Sequence, residues 1–186
     1  TPYPLQQRPF VCLVVGCNNG AFVERTLRSV FSQVYDNYRL VYIDDASTDG
    51  SFSLVKDVVE SSGQKERATL IRKEESLGEL ANLSEAIRGC DDREIIVWIG
   101  GNDWLAHEWV LSRLNSYYAD PDLWLTYGQY REFPDYRLGI SAPFRDAECK
   151  QLGFRGHPFV ASHLKTFYAG LFKCVDPADF MYQGTF

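Results

Sequence analysis

The sequence alternates short apolar runs with amphipathic segments, and this alternation limits the chain to a small set of folds. A short apolar run bounded by turn residues is typical of a parallel strand that is buried on both faces. The segments between the runs repeat their apolar residues with the period of a helix. The predicted strands are residues 10–15, 40–43, 68–71, 94–99 and 124–127, and the predicted helices are residues 21–33, 51–61, 78–88 and 106–118. Strands and helices that take turns in this way predict an α/β fold, with a Rossmann-like, mostly parallel sheet flanked by helices.

The alternation ends at Gly128, and the remainder of the chain is irregular and rich in aromatic residues. Residues 129–157 mix Pro, Gly, aromatic and charged residues, which predicts long loops. Residues 158–175 have helical periodicity and predict a late helix, whose apolar stripe contains Val160, Leu164, Phe167 and Leu171. We therefore divide the chain into an extended lead-in at residues 1–9, a sheet-forming domain at residues 10–128 and an irregular region at residues 129–186.

The composition excludes several classes of partner and location. The net charge of −6 leaves no basic face for a phosphate backbone, so nucleic acid is not an expected partner. No apolar run approaches the length of a transmembrane helix, so we expect no transmembrane segment. The five cysteines are widely spaced and include no CxxC pair, which disfavours both a zinc site and a disulfide framework. Free cysteines are typical of a reducing compartment, and we expect a cytoplasmic protein.

Acidic and amide side chains follow two of the predicted strands at the point where each strand ends. Asp44 and Asp45 follow the second strand, and Asn102 and Asp103 follow the fourth. An Asp after a strand is commonly a turn former or a helix cap. In open α/β sheets, however, the carboxyl ends of the strands form the ligand site, and oxygen ligands there can hold a hard divalent cation. Two such clusters, together with the Gly-Asn turn after the first strand, favour a nucleoside-diphosphate site.

Three ordered motifs resemble those of glycosyltransferase family 2. Residues 14–51 (VVGCNNGAFVERTLRSVFSQVYDNYRLVYIDDASTDGS) are similar to the opening of that family, with its strand, Asn-containing turn, helix, strand and acidic turn. Residues 71–89 (IRKEESLGELANLSEAIRG) are similar to its second signature. Residues 96–105 (IVWIGGNDWL) stand where the family has its metal-binding acidic motif. The resemblance covers residues 10–128, about two thirds of the chain, and an ordered set of motifs is more specific than any single one.

The resemblance implies a GT-A fold that binds a nucleotide sugar, with a UDP-sugar as the expected donor. It also implies inversion at the anomeric carbon and transfer to an acceptor that the sequence does not identify. Residues 10–128 would then be the nucleotide-sugar-binding domain, and residues 129–186 would begin an acceptor-side region that continues beyond residue 186. The nucleotide-binding positions implied by the resemblance are Val15 and Cys17 at the base pocket, Asp44 as acceptor of a hydrogen bond from uracil, its neighbour Asp45, Gly78 in a loop that closes over the nucleotide, and Asn102 near the ribose and diphosphate.

The resemblance also implies a Mg²⁺ or Mn²⁺ ion, with Asp103 as the main ligand and Asn102 beside it. The family commonly has Asp-x-Asp-Asp at this strand end, whereas this chain has Gly100 and Gly101 before Asn102 and Asp103. Because the number of charged ligands tunes the affinity for a hard cation, we expect a weak metal site. His163 has two open interpretations: a packed histidine of the late helix, or an additional metal ligand.

The sequence leaves the general base, and with it the catalytic competence of the chain, open. Inverting transfer needs a carboxylate that takes the proton of the attacking hydroxyl. The candidates Asp146, Glu148, Asp176 and Asp179 lie in no clear motif, and the base could also follow residue 186. A nucleotide-sugar-binding module of the same fold, with weak or lost catalysis, is therefore the alternative to an active glycosyltransferase. A dehydrogenase or flavodoxin-like domain is disfavoured because no GxGxxG follows the first strand.

Overall fold

The fold is a mostly parallel, six-stranded sheet with helices on both faces. The computed structural model describes residues 6–144 and 160–180. The strands in chain order are β1 (Phe10–Gly16), β2 (Tyr38–Asp44), β3 (Ala68–Arg72), β4 (Ile95–Gly100), β5 (Leu125–Gly128), β6 (Arg131–Glu132), β7 (Arg137–Leu138) and β8 (Ser162–Tyr168). The large sheet has the order β3-β2-β1-β4-β8-β5, while β6 and β7 form a separate hairpin. Only β8 runs opposite to the other five strands of the large sheet, which confirms the predicted fold class.

The helices divide between the two faces of the sheet. They are α1 (Gly20–Phe31), α2 (Ser51–Ser61), α3 (Glu79–Arg88), α4 (Val110–Tyr117) and α5 (Ala169–Lys173), with short 3₁₀ helices at Lys65–Arg67 and Pro177–Phe180. One core lies between the sheet and α1, α2 and α4, and the other lies between the sheet and α3 and α5. Every residue of β1 is buried, because this strand is covered on both faces. The described helices are all too short or too polar to cross a membrane.

The late helix predicted over residues 158–175 is wrong. Residues 162–168 form β8, and only the five residues of α5 are helical. The side chains of β8 alternate between the two faces, so that Thr166 is buried against α4 and Phe167 stacks on Phe172 of α5. The strand lies between β4 and β5, which bind its backbone from both sides. Pairing with these strands, which are distant in sequence, determines the conformation of residues 162–168. The local 3.6-residue periodicity of the sequence contains no information about that pairing.

The predicted loop over residues 129–157 also contains regular structure. Residues 131–138 form the β6–β7 hairpin, which is closed by hydrogen bonds from the amides of Tyr136 and Gly139 to the carbonyl oxygens of Glu132 and Tyr130. The general-base candidates Asp146 and Glu148 lie outside the described residues.

Candidate functional site

The register of three strands brings most of the predicted site residues to one edge of the sheet. Val15 of β1 pairs with Ile43 of β2 on one side and with Gly100 of β4 on the other. Gly16 pairs with Asp44, so β1 and β2 end together. The turn after β1, the Asp44–Asp45 pair and the loop at Asn102 and Asp103 therefore meet at the carboxyl edge, as predicted from the sequence.

The turn after β1 is tied to the turn after β2. The Asn18 amide donates to Ser47 Oγ over 2.9 Å, and the Thr48 amide donates to Asn18 Oδ1 over 2.8 Å. Cys17 presents an exposed thiol in this turn. Partial desolvation raises the pKa of the Cys17 thiol, and the charges of the nearby Asp45, Asp44 and Asp49 carboxylates raise it further. These carboxylates give the edge a negative potential, which would favour a cation beside a diphosphate there.

Asp44 is completely buried and has one carboxylate oxygen without a partner. Asp44 Oδ2 accepts a hydrogen bond from the Ser47 amide over 3.1 Å and lies 3.6 Å from Nε of the exposed Arg72. Asp44 Oδ1 is buried and has no hydrogen-bond partner among the described residues. Buried carboxylate oxygens are normally paired, so this atom has an unfilled capacity to accept a hydrogen bond.

Asp45 holds the loop that precedes α3. Its carboxylate accepts hydrogen bonds from Ser76 Oγ over 2.7 Å, from the amides of Leu77 and Gly78 over 2.8 and 3.0 Å, and from Asn82 Nδ2 over 2.8 Å. Burial raises the pKa of the Asp45 carboxyl, but these four hydrogen bonds lower it by more, so the net pKa lies below its usual value. Gly78 has a φ of 84° at the start of α3, a conformation that favours glycine.

The loop that carries Asn102 and Asp103 is anchored to α1 and to the turn before it. Asn19 Nδ2 donates to the Gly101 carbonyl oxygen over 2.6 Å, while Asn19 Oδ1 accepts a hydrogen bond from the Tyr42 hydroxyl. Thr26 Oγ1 donates to the Asp103 carbonyl oxygen over 2.7 Å. Asn19 and Thr26 are buried positioning residues that the sequence reasoning missed. Their signal lies within the family-like stretch at residues 14–51, but nothing local distinguishes them from ordinary turn and helix residues.

Close packing favours glycine at position 101 of this loop. A Cβ at Gly101 would lie 2.8 Å from the Val15 carbonyl oxygen and 2.8 Å from the Gly16 Cα. A Cβ at Gly100 would lie 2.6 Å from Asp103 Oδ2. Position 101 has no room for a side chain because two of these neighbours are backbone atoms, whereas at position 100 the neighbour is the half-exposed side chain of Asp103, which can shift.

The structure brings together two of the three predicted metal ligands. His163 Nε2 lies 3.4 Å from Asp103 Oδ2, and both side chains are about half exposed. Ser162 Oγ is 2.7 Å from His163 Nδ1 and fixes the orientation of the ring. No cluster of three or more His, Cys, Asp or Glu side chains suited to a metal occurs within residues 6–144 and 160–180. The pair, with Asn102 beside it, fits a cation that shares its coordination with phosphate oxygens, a common arrangement for Mg²⁺.

A large cleft opens beside this pair. Its volume is about 1310 Å³, above the roughly 300–1,000 Å³ of a typical small-molecule pocket. The cleft runs between the β6–β7 hairpin, the loop that leads into α4, and α4 itself. Aromatic rings and polar side chains make up most of its lining, and Asn102, Asp103 and His163 belong to it.

The general-base candidates Asp176 and Asp179 lie far from the cleft. Because β8 is antiparallel, its last residue, Tyr168, pairs with Ile95 at the start of β4, and the chain continues along the amino edge of the sheet. Val175 accepts a hydrogen bond from Arg88 at the end of α3. Among the described residues, the carboxylates that line the cleft are Asp103, Asp120 and Glu132.

Several solved glycosyltransferase structures have the same fold. A mannosyltransferase from Pyrobaculum calidifontis, solved with GDP-Man and Mn²⁺, has a TM-score of 0.62 and 24% identity over 70% of this chain and 38% of its own. S. aureus TarS 1-349, solved with UDP-GlcNAc, has a TM-score of 0.67 and 15% identity over 89% of this chain and 47% of its own. GalNAc-T7, solved with UDP, GalNAc and Mn²⁺, has a TM-score of 0.61 and 14% identity over 90% of this chain and 36% of its own. The predicted GT-A fold is thus confirmed, although this chain spans less than half of the length of each of these proteins.

Sequence relationships identify the family. No curated protein sequence is significantly similar to the chain. The family model described as Glycosyl transferase family 2, in contrast, matches residues 12–175. This range contains the turn after β1, the buried acidic pair, the loop before α3 and the Asp103–His163 pair. The chain belongs to glycosyl transferase family 2.

Proposed function

We propose that this chain binds a nucleotide sugar, with UDP as the nucleotide, and transfers the sugar with inversion to an acceptor in the adjoining cleft. The observation that carries the proposal is the meeting of the turn at Cys17, Asp44 and the Asn102–Asp103 loop at one edge of the sheet, with Asn102 and Asp103 also lining the cleft. Membership of family 2 supports glycosyl transfer. The complexes of structurally similar proteins with GDP-Man and UDP-GlcNAc support a nucleoside-diphosphate sugar as donor.

The uracil ring would bind between the turn after β1 and Asp44. The ring carries an imide N–H, and the unpaired Asp44 Oδ1 is an acceptor of the kind that this donor needs. Val15 and Cys17 would form the floor and rim beside the base. The exposed guanidinium of Arg72 lies near Asp44 and also donates to the Ser47 carbonyl oxygen. We infer that Asp45 acts indirectly, because its oxygens already hold the loop at Gly78.

The diphosphate would lie at Asn102 and Asp103. Asp103 and His163 would hold a Mg²⁺ or Mn²⁺ ion, with the Asn102 amide oxygen as a neutral third donor. When bound, this cation would neutralise the charge that develops on the leaving diphosphate. The attacking oxygen of the acceptor bonds to the anomeric carbon, the bond from that carbon to the diphosphate breaks, and the nucleoside diphosphate leaves with the electron pair. The proton of the hydroxyl passes to a carboxylate, for which Asp120 and Glu132 are the cleft-lining candidates.

Calorimetry with UDP tests the nucleotide site through Asp44→Ala. Loss of a hydrogen-bond partner in a buried site costs about 1–3 kcal/mol, so UDP affinity should fall by about 5- to 150-fold. Asp44→Asn keeps the side-chain volume and serves as a second variant if the alanine variant melts at a much lower temperature. The exposed Asp57 on α2 provides the matched control, because Asp57→Ala should leave UDP affinity unchanged. Equal UDP affinity in the wild type and in both Asp44 variants would remove Asp44 from the site.

A second candidate function is a nucleotide-sugar-binding module without turnover. It is favoured by the loop at residues 100–103, in which Asp103 is the only carboxylate. The two functions are distinguished by the release of UDP from UDP-sugars, measured with and without simple acceptors. A binding module should bind the donor yet release UDP no faster than a variant that lacks Asp103.

A further inference from the structure

One side of the cleft is formed by a group of rings that we call the aromatic wall: Trp104, Phe133 and Tyr136. The centroids of Trp104 and Phe133 are 5.6 Å apart, and those of Phe133 and Tyr136 are 6.2 Å apart, both edge to face. Phe133 and Tyr136 are each 52% exposed, although large aromatic side chains gain free energy by burial. All three rings line the cleft.

The aromatic wall is held in place from outside the hairpin. The guanidinium carbon of Arg25 on α1 lies 3.7 Å from the centroid of the Trp104 ring and 5.0 Å from that of Phe133. A planar guanidinium stacks on aromatic faces, so Arg25 links α1, the loop after Asp103 and the hairpin. The rings are therefore ordered before any ligand arrives, which lowers the entropy cost of binding.

The backbone of Tyr136 gives an independent indication that its ring is functional. Tyr136 has a φ of 56° in the turn of the hairpin, a conformation in which glycine or asparagine is favoured over other residues. Arg131 Nη1 donates to its carbonyl oxygen over 2.8 Å and supports this conformation. A strained residue that exposes a large ring into a cleft is a candidate for ligand contact.

The aromatic wall is continuous with the proposed reaction centre. Trp104 directly follows Asp103, and the ring of Tyr130 lies 5.0 Å from that of His163. Tyr130 is packed so closely on Gly139 that a Cβ there would lie 2.2 Å from the ring. A molecule that rests on the aromatic wall would therefore have one end beside the Asp103–His163 pair.

We propose that this cleft binds a carbohydrate chain as the acceptor, with a sugar ring packed on Tyr136 and Phe133. A pyranose has an apolar C–H face that packs on an aromatic ring and a rim of hydroxyl groups that need hydrogen-bond partners. The cleft offers both, since Gln129, Arg131 and Glu132 lie beside the exposed rings. A lipid tail would instead pack on the aliphatic side chains that also line the cleft, among them Leu105, Leu114 and Leu164, whereas polar side chains flank the exposed rings. The volume of about 1310 Å³ suits several sugar units. This inference rests on the proposed glycosyl transfer.

The test measures oligosaccharide binding separately from nucleotide binding. Maltohexaose, cellohexaose and chitohexaose are compared with farnesyl phosphate by saturation-transfer NMR, and UDP affinity is measured by calorimetry on the same samples. At least one hexasaccharide should bind. Saturation of the aromatic protons of the protein should then be transferred to the protons of that hexasaccharide. Tyr136→Asn, which suits the backbone of the turn, should weaken that binding by at least about tenfold, whereas Tyr136→Phe should retain it. Trp124→Ala removes an exposed ring that does not line the cleft and should change nothing.

The outcomes distinguish a failure of the acceptor proposal from a failure of the donor proposal. Binding of farnesyl phosphate without any hexasaccharide would overturn the carbohydrate proposal, as would hexasaccharide binding that Tyr136→Asn leaves intact. UDP affinity should be the same in all Tyr136 variants, because the ring lies in the acceptor part of the site. Failure of the wild type to bind UDP would instead overturn the proposed function while leaving the hexasaccharide result to stand on its own.

Discussion

Gly101 is the residue at which the acidic loop touches the first strand most closely. A methyl group there would meet Val15, Gly16 and Asn19 at 2.8 Å, and two of these contacts are with backbone atoms that cannot turn aside. We expect Gly101→Ala to lower the free energy of unfolding by about 1–3 kcal/mol, the usual cost of overpacking, and to weaken UDP binding. Urea denaturation measures the first effect and calorimetry the second. Gly89→Ala is the control, because its nearest contact is an ordinary 3.4 Å. A stable variant with normal UDP affinity would show that the loop can move away.

Asp45 makes the stability of the protein depend on pH. Its pKa is lower in the folded state than in the unfolded chain, so the ionised carboxylate stabilises the fold above the unfolded pKa of about 4. That contribution is lost as the pH falls through the lower, folded pKa. Asp45→Asn should therefore be less stable than the wild type at pH 7, and the difference should shrink below about pH 4. Urea denaturation at several pH values measures it, with the exposed Asp57→Asn as control. A difference that does not change with pH would argue against the ionised carboxylate as its cause.

At the scale of elements, β8 is joined to the rest of the molecule by a buried chain of hydroxyl groups. Thr166 Oγ1 lies 2.8 Å from the Tyr118 hydroxyl that follows α4 and 2.6 Å from Thr126 Oγ1 of β5. Burial raises the pKa of Tyr118 to about 12, so its hydroxyl stays protonated and able to donate. The chain thus connects a helix to two strands through one completely buried threonine.

We expect Thr166→Val to be destabilising although it preserves the shape of the side chain. It would leave the buried Tyr118 hydroxyl and the half-buried Thr126 hydroxyl without this partner, at a cost of about 1–3 kcal/mol for the buried group. Tyr118→Phe removes one of these groups, so the double variant should be less destabilised than the sum of the single variants. Urea denaturation of the four proteins measures this coupling. Strict additivity would mean that the hydroxyl groups do not stabilise one another.

The elements differ in how well the sequence predicts them. The strands β1, β2 and β4 are continuous apolar runs because both of their faces are covered, so their burial is visible locally. In β8, the residues Leu164 and Phe167 suggested a helix because their spacing matches one face of a helix. The strand forms there because β4 and β5 are available as partners, and partners distant in sequence leave no local trace.

The sequence likewise predicts some parts of the candidate site and not others. The sequence predicts that Asp44, Asp45, Asn102 and Asp103 meet at one edge, because the carboxyl ends of neighbouring parallel strands lie at the same edge of the sheet. His163, which lies 3.4 Å from Asp103, belongs to β8 and not to the predicted late helix, and its role as a metal ligand stays a prediction. The rings of the aromatic wall were not predicted, because the hairpin that presents them is too short to have a periodic pattern.

At the scale of the whole molecule, the distribution of charge determines how nucleotide binding should respond to metal. The protein has a net charge of −6, and several carboxylates gather at the carboxyl edge where a diphosphate would add more negative charge. With Asp103 and His163 as the proposed charged or basic ligands, however, a cation would be weakly held. We therefore expect Mn²⁺ to improve UDP affinity only modestly, and Asn102→Asp to increase that dependence.

Thermal denaturation with UDP, in the presence of either Mn²⁺ or a chelator, measures this response. A ligand at 100 times its Kd stabilises the folded state by about 2.7 kcal/mol, so the shift in Tm reports the affinity in each condition. Gly100→Asp is an informative comparison, because a Cβ there would meet only the movable side chain of Asp103, and the added carboxylate should also increase the dependence on Mn²⁺. Absolute dependence on Mn²⁺ in the wild type, unchanged by Asn102→Asp, would show that Asp103 and His163 suffice.

The reversed direction of β8 has a consequence for the order in which the parts of the protein fold. His163 is separated from Asp103 by a long stretch of chain, and the two meet only after β8 has inserted between β4 and β5. Contacts between distant parts of a chain form late in folding, because closing a long loop costs entropy before it brings any gain. The parallel strands β1 to β4 can assemble first and hold the buried acidic pair. A nascent or partly folded chain would thus form the edge that carries the acidic pair before it forms the Asp103–His163 contact.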